Sequence, residues 1–239
     1  FRAENRDGRE TTSRLASLAG DIAFNASLGL LSRQDFVERD VKGSLTTLYT
    51  RERASLWGLA YRPTGRDDLN VLLKFAWKDA INPFGSGVLA SDGEEERFIA
   101  AVEAIWTPIA PLELGARFAT RSTRLERELT DVTTAETRSQ TEFLGVRSRF
   151  YVTDWAAAEV EARGLVSGLA PGSVWDVAPS AVLHPFEALE IEIGYRFGEL
   201  QDPDFAVRSG EGAFLTIGAR LTEELIETAA DFWRERMGN

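Results

Sequence analysis

The sequence predicts an all-β fold, an antiparallel up-and-down transmembrane β-barrel, from three observations. Apolar and polar side chains alternate along repeated runs, most clearly at residues 69–78, 112–118 and 189–197. Successive side chains of a strand point to opposite faces, so each run has one apolar and one ionic face. The connections between runs alternate in length, and aromatic residues gather near both ends of the runs. These two features decide which face meets lipid.

The composition narrows the class of protein. The 239 residues are 44% hydrophobic with a mean hydropathy of -0.20. No stretch approaches the roughly 18 apolar residues of a membrane-spanning helix, which excludes a helical membrane protein. Half of every strand in a transmembrane barrel is polar, so average hydropathy does not exclude a barrel. The absence of cysteine excludes disulfides and thiolate metal sites, and the net charge of -11 argues against nucleic acid as a partner.

About eleven runs are predicted to be strands, each near the roughly 9–11 residues that a tilted strand needs to cross a bilayer. They are residues 13–24, 27–38, 44–62, 68–79, 96–107, 111–123, 137–152, 155–167, 173–185, 188–199 and 211–222. Single-chain bacterial barrels have even strand numbers, so at least twelve strands are expected. We expect a further strand or a whole upstream region before Phe1, unless one strand escaped detection or a partner supplies it.

Three segments follow from this pattern. Residues 1–12 are predicted to be an extracellular segment or the end of an upstream region, and residues 13–222 the barrel. Residues 223–239 are predicted to be a periplasmic amphipathic helix, which lies on the inner leaflet, plugs the lumen or binds a partner; a frayed tail is the alternative. The apolar stripe of this helix consists of Leu225, Ile226, Ala229, Phe232, Trp233 and Met237.

The connections fall into two sets. Short turns are predicted at residues 24–27, 63–67, 107–111, 153–154 and 185–188, and longer acidic or Gly-rich loops at 82–96, 125–136 and 199–204. Short periplasmic turns and long extracellular loops are typical of outer-membrane barrels. The acidic groups 94–96 and 202–204 are predicted to be solvated loops, with weak binding of calcium or magnesium as the alternative.

Aromatic residues are predicted to form two girdles at the membrane–water interfaces. The girdle residues are Trp57, Tyr61, Trp77, Phe98, Trp106, Phe150, Trp155, Trp175 and Phe197. The alternative is a soluble barrel whose apolar face is its interior, with the charged face in solvent. That alternative gives aromatic side chains no reason to lie at two particular heights.

Charged side chains are predicted to line the opposite face, which would be the lumen. They are Lys74, Lys78, Arg117, Arg121, Arg147, Arg149, Arg163, Arg196, Arg220, Glu113, Glu159, Glu161, Glu190 and Glu192. A dry protein interior would not hold so many ions without a large desolvation cost. A wetted lumen can hold them, and so can a narrow lumen filled with salt bridges.

Several segments resemble bacterial outer-membrane β-barrel proteins. A strand ending Gly-Leu-Ala-Tyr-Arg-Pro at 58–63 is followed by an Asp-rich turn and a returning strand at 69–75, and the segments 141–151 and 212–217 are similar to other hairpins and closing strands of that group. The resemblance implies a porin-like barrel that is the C-terminal part of a longer surface protein. It also implies a location in the bacterial outer membrane, with lipid and lipopolysaccharide as partners and a periplasmic or surface protein as a further partner.

The residues indicate no catalysis. His184 is the only histidine and is predicted to be structural, and no catalytic, metal or cofactor motif is found. Two functions are left open. The first is a channel for small hydrophilic solutes, with selectivity set by Arg117, Arg147, Arg149, Arg163 and Arg196. The second is a structural anchor for an upstream domain or a partner complex, with the lumen closed by salt bridges.

Overall fold

The computed structural model describes residues 2–7, 11–42, 47–65, 68–81, 93–130, 133–168, 173–186, 188–202, 204–205 and 207–219. The strands are β1 (Arg2–Asp7), β2 (Thr11–Asn25), β3 (Leu28–Lys42), β4 (Thr47–Tyr61), β5 (Leu69–Ile81), β6 (Gly93–Ile109), β7 (Leu112–Thr130), β8 (Thr133–Thr153), β9 (Ala156–Ser167), β10 (Ser173–Phe186), β11 (Leu189–Arg196), β12 (Leu200–Asp202), β13 (Val207–Ser209) and β14 (Gly212–Ala219). In this part of the chain no helix is long and apolar enough to cross a membrane.

Twelve strands form one sheet in chain order, from β1 to β11 and then β14, while β12 and β13 form a separate two-stranded sheet. Neighbours such as β2 and β3, or β11 and β14, are antiparallel along their whole length. This topology confirms the predicted all-β, antiparallel up-and-down fold. The predicted helix at 223–239 lies outside the described residues.

The short turns lie where the sequence predicts them. β2 ends at Asn25 and β3 begins at Leu28, and β6 and β7 are separated only by Ala110 and Pro111. Backbone hydrogen bonds lie beside two of the predicted turns: the Arg62 N–H donates to the Ser27 carbonyl oxygen at 2.8 Å, and the Tyr151 N–H donates to that of Pro111 at 2.7 Å.

The long-loop end differs from the prediction in three places. β7 continues to Thr130 and β8 begins at Thr133, so most of the predicted loop at 125–136 is strand. Glu94, Glu95 and Glu96 belong to β6, not to a solvated loop, and the segment 199–204 contains β12. Charge pairs allow polar strands to continue beyond the apolar band; Arg124 Nε, for example, lies 3.0 Å from Glu136 Oε1 on the next strand.

The predicted loop at the start of the chain is also a strand. β1 pairs with β2 from Arg2 opposite Ser17 to Asp7 opposite Thr12 and brings the sheet to twelve strands. Its sequence, RAENRD, has no apolar face, so periodicity gave no signal and backbone pairing alone defines the strand. The extracellular placement of this segment stays a prediction.

The chain divides into two compact units. Unit 1 comprises residues 1–106, 115–145 and 165–173, and unit 2 comprises residues 107–114, 146–164 and 174–239. In both units the alternation of side chains gives the strands two different faces, called here the apolar face and the ionic face. The apolar face carries Leu73, Phe75 and Trp77 of β5 in unit 1, and Ile191, Ile193 and Tyr195 of β11 in unit 2.

The pairing of β5 with β6 shows how many residues the apolar face of unit 1 spans along each strand. Leu69 pairs with Trp106 at one end, and Trp77 pairs with Phe98 at the other, which spans nine residues of each strand. That length matches the roughly 9–11 residues of a tilted transmembrane strand. Beyond Trp77 the same face becomes ionic, with Asp79 lying 3.7 Å from Arg51. The apolar band is therefore bounded by aromatic rings.

One glycine of unit 2 is required by close packing. A Cβ at Gly194 would lie 2.6 Å from the Pro179 carbonyl oxygen and 2.7 Å from the Phe214 ring. A backbone oxygen cannot move aside as a flexible side chain can. By contrast, a Cβ at Gly20 of unit 1 would meet nothing within 4 Å.

These two glycines make a matched pair for a stability test. We expect Gly194→Ala to lower the free energy of unfolding by about 1–3 kcal/mol, because the added methyl overpacks the site. Gly20→Ala should change it by less than about 1 kcal/mol, or stabilise slightly through the unfolded chain. Urea titration of the protein in lipid vesicles measures both, and equal effects of the two substitutions would contradict the packing described.

Candidate functional site

The apolar face is the exposed face of the strands. All nine residues predicted for the aromatic girdles have exposed side chains, among them Trp155 at 59% and Phe197 at 56%. Aliphatic residues between them, such as Ile193 and Leu215, are exposed as well. A continuous exposed apolar surface marks a region that meets lipid or a partner. A soluble barrel would bury this face, so the exposure argues against the soluble alternative.

The aromatic residues lie near the limits of the apolar band. In unit 1, Trp106 lies in the row nearest the short turns, and Trp77 and Phe98 pair in the row nearest the long loops. Trp57 lies one row further in and pairs with Phe75. The Trp77 indole donates a hydrogen bond to Glu96, 3.2 Å away, as a ring at a membrane–water interface can.

The ionic face of unit 1 carries small side chains beside its charges. One row of paired residues on β2 to β6 consists of Asp21, Leu31, Gly58, Lys74 and Ala101. Lys74 is exposed. The other predicted cations of this unit have partners: Lys78 lies 3.1 Å from Glu52 Oε1, Arg121 donates to the Thr141 hydroxyl at 3.1 Å, and Arg117 lies over the Phe143 ring.

The ionic face of unit 2 is instead filled by paired charges near the short turns. Arg149 Nε donates to Glu159 Oε2 at 2.5 Å, and its two terminal nitrogens lie 3.2 and 3.5 Å from the carboxylate of Glu190. His184 Nε2 lies 3.0 Å from the same carboxylate. Arg147 donates to Glu113 at 2.6 Å. The Arg149 and Glu159 side chains are only 10% and 7% exposed, so this pair is largely withdrawn from solvent.

A second group of charges on the same face centres on Asp176, whose side chain is fully buried. Arg163 donates to both carboxylate oxygens, at 3.0 and 2.6 Å, in the two-pronged geometry that suits a guanidinium group. Arg196 lies 3.5 Å from Asp176 and 3.6 Å from Glu161, and the Ser209 hydroxyl lies 2.7 Å from Asp176. Each charge in this group therefore meets an opposite one.

Three members of these groups were not in the predicted set. Asp176 stands one residue after Trp175 in a strand whose alternation places it on the ionic face, so parity could have found it. His184 is predicted to be structural, and its ring lies in the Arg149 group, 3.0 Å from Glu190. Ser209 gives no sequence signal, since its role depends on how residues 197–211 fold.

Two predicted lining residues, Glu192 and Arg220, belong to neither group. Glu192 pairs with Thr216 of β14, which places it on the ionic face with Glu190. Arg220 lies outside the described residues. Contact between these side chains and a passing solute stays a prediction.

No protein-family model and no curated protein sequence matches the chain. Among solved structures, the siderophore receptor PirA from Acinetobacter baumannii is similar over 92% of this chain and 40% of its own, with a TM-score of 0.64 at 12% identity. The ferric citrate transporter FecA in its unliganded form is similar over 79% of this chain and 36% of its own, with a TM-score of 0.51 at 10% identity.

The chain thus spans less than half the length of these two structures. The likeness shows the fold alone: this chain has the fold of the bacterial outer-membrane β-barrels. The location that the sequence predicts, the bacterial outer membrane, agrees with that fold.

The lipid contact of the girdles can be tested at Trp106. A variant that keeps Trp106 and has the other tryptophans replaced by phenylalanine should lose most of its fluorescence in vesicles of brominated lipid, because Trp106 is exposed on the apolar face. Aqueous iodide should quench it weakly. Strong quenching by iodide with none by brominated lipid would show that this face meets water.

Proposed function

We propose that the chain is a non-enzymatic, integral outer-membrane β-barrel that serves as a structural anchor for an upstream domain or a partner complex. Its partners on the apolar face would be outer-membrane lipid and lipopolysaccharide. The observation that carries the anchor proposal is the pairing of the unit 2 arginines. Arg147, Arg149, Arg163 and Arg196 all contact carboxylates of the protein itself.

Charge pairing supports an anchor because it removes the groups that a selective pore would use. An arginine that attracts a passing anion must present its charge to water. Arg149 and Arg163 have side chains only 10% and 12% exposed, and their nitrogens are already engaged by Glu159, Glu190 and Asp176. A solute would have to displace a built-in carboxylate to reach either guanidinium group.

Pairing also links the strands of the wall. Glu159 of β9 and Glu190 of β11 both contact Arg149 of β8, so one guanidinium links three strands. Removing one partner of a buried pair costs about 3–5 kcal/mol, because the remaining charge is left uncompensated. A barrel whose task is to hold another domain in the membrane benefits from such links.

A second candidate, a channel for small hydrophilic solutes, is favoured by the ionic face of unit 1. Small residues such as Gly58 and Ala101 occupy the row that carries Lys74, and the Lys74 side chain is exposed. Small side chains leave space beside a wall, and an exposed ammonium group would favour anionic solutes. This face has the character expected of a wetted wall.

Planar-bilayer recording distinguishes the two functions. For an anchor we expect no single-channel steps above the baseline from protein whose insertion is verified, while a porin of known conductance gives steps in the same bilayers. Single-channel steps from the unsubstituted protein would overturn the anchor function. If Lys74→Glu also shifted the reversal potential toward cation preference, the channel function would be established. Lys74→Glu should leave stability unchanged within about 0.5 kcal/mol, since the position is exposed.

A further inference from the structure

A small hairpin of unit 2, formed by β12 and β13, contains some of the most buried side chains of the described residues. Leu200 and Phe205 are 1% exposed and Val207 is 4% exposed. The two strands pair from Leu200 opposite Ser209 to Asp202 opposite Val207. A solvated extracellular loop would not bury three apolar side chains, so this segment, called here the insert hairpin, is packed against the protein.

Backbone hydrogen bonds and one glycine fix the start of the insert hairpin. Phe197 and Val177 exchange two backbone hydrogen bonds, at 2.8 and 3.0 Å, which hold the start of the segment beside β10. Gly198 follows with a φ of 102°, and a Cβ there would collide with the Trp175 carbonyl oxygen. Asp202 Oδ1 then accepts the N–H groups of Asp204 and Phe205, at 3.0 and 3.2 Å.

One side chain joins the insert hairpin to the charges of the ionic face. The Ser209 hydroxyl lies 2.7 Å from Asp176 Oδ2 and 3.0 Å from the Leu200 carbonyl oxygen, and it accepts the Leu200 N–H at 3.1 Å. The shorter distance makes Asp176 the nearer acceptor for the single hydroxyl proton. Asp176 is the fully buried carboxylate that Arg163 and Arg196 contact. The insert hairpin is thereby tied to both arginines through a single acceptor.

The two arginines are correspondingly shielded. Their side chains are 12% and 16% exposed, although parity places them on the face that was predicted to be wetted. The Phe214 ring, 5.3 Å from the Arg196 guanidinium carbon, covers part of Arg196. The insert hairpin contacts the same carboxylate through Ser209, 2.7 Å from Asp176 Oδ2.

We propose that the insert hairpin is a latched cover on the ionic face of unit 2. The Ser209–Asp176 hydrogen bond is the latch, and it keeps the hairpin over Arg163 and Arg196. When the latch is broken, the hairpin separates from the ionic face, and the group formed by Asp176, Arg163 and Arg196 becomes accessible to water. This inference goes beyond the proposed function, because a latched cover would exist on an anchor and on a channel alike.

Cysteine accessibility tests the latch directly, because the chain has no native cysteine. Val207→Cys places a thiol in the buried side of β13, and Arg208→Cys places one at the adjacent exposed position. A small charged maleimide should label Arg208→Cys quickly and Val207→Cys slowly. Adding Ser209→Ala should accelerate labelling at position 207 by about 10- to 100-fold, the factor expected for a lost hydrogen bond to a charged group.

Two further variants separate a latch from general loosening. Val182→Cys, at a fully buried position of β10, should stay protected when Ser209→Ala is added. Asp176→Asn weakens the acceptor and also removes the charge that Arg163 and Arg196 contact, so it should accelerate labelling at position 207 while position 182 stays protected.

Three outcomes would overturn the proposal. The first is labelling of Val207→Cys as fast as that of Arg208→Cys without the added substitution. The second is unchanged protection at position 207 in both Ser209→Ala and Asp176→Asn. The third is equal acceleration at positions 207 and 182. Since labelling does not depend on conductance, none of these outcomes bears on whether the barrel is an anchor.

Discussion

The whole arrangement depends on pairing charges along one face of a sheet whose other face is apolar. Charged side chains in a membrane barrel cannot turn toward lipid, so each must meet water or an opposite charge. Unit 2 meets this constraint with opposite charges, as Arg149 does with Glu159 and Glu190. In unit 1, Lys74 is exposed beside small residues, whereas Lys78 lies close to Glu52.

The two solutions have different structural consequences. Paired charges link neighbouring strands and fill space on that part of the ionic face. The Asp176 group extends the same principle to a segment outside the main sheet, because Ser209 of β13 shares the carboxylate with Arg163. The choice between the two proposed functions therefore depends on the ionic face. The apolar face defines only the class of protein.

Much of the fold could be predicted from the sequence because it depends on local patterns. Alternation and turn residues identified the strands of the main sheet except β1, whose polar sequence has no apolar face. Exposed positions such as Trp106 and Phe150 followed from parity alone. The ends of β7 and β8 could not be predicted, since polar strands are continued there by pairing between Arg124 and Glu136.

The partners of the charges could not be predicted for a different reason. Arg149 finds Glu159 ten residues away but Glu190 forty-one residues away, and only the register of the strands brings them together. The insert hairpin could not be predicted either. Its strands have three residues each, which is too short for a visible alternation, and the acidic segment around Asp202 is typical of a solvated loop.

A double-mutant cycle on Arg149 and Glu159 tests the central claim most directly. Arg149→Met, Glu159→Gln and the double variant would be unfolded by urea in lipid vesicles, and the coupling free energy taken from the four stabilities. A dry, paired ionic face predicts a coupling of about 2–4 kcal/mol, as for buried charges that depend on each other. A coupling below about 0.5 kcal/mol, typical of pairs screened by water, would contradict it and indicate a wetted wall.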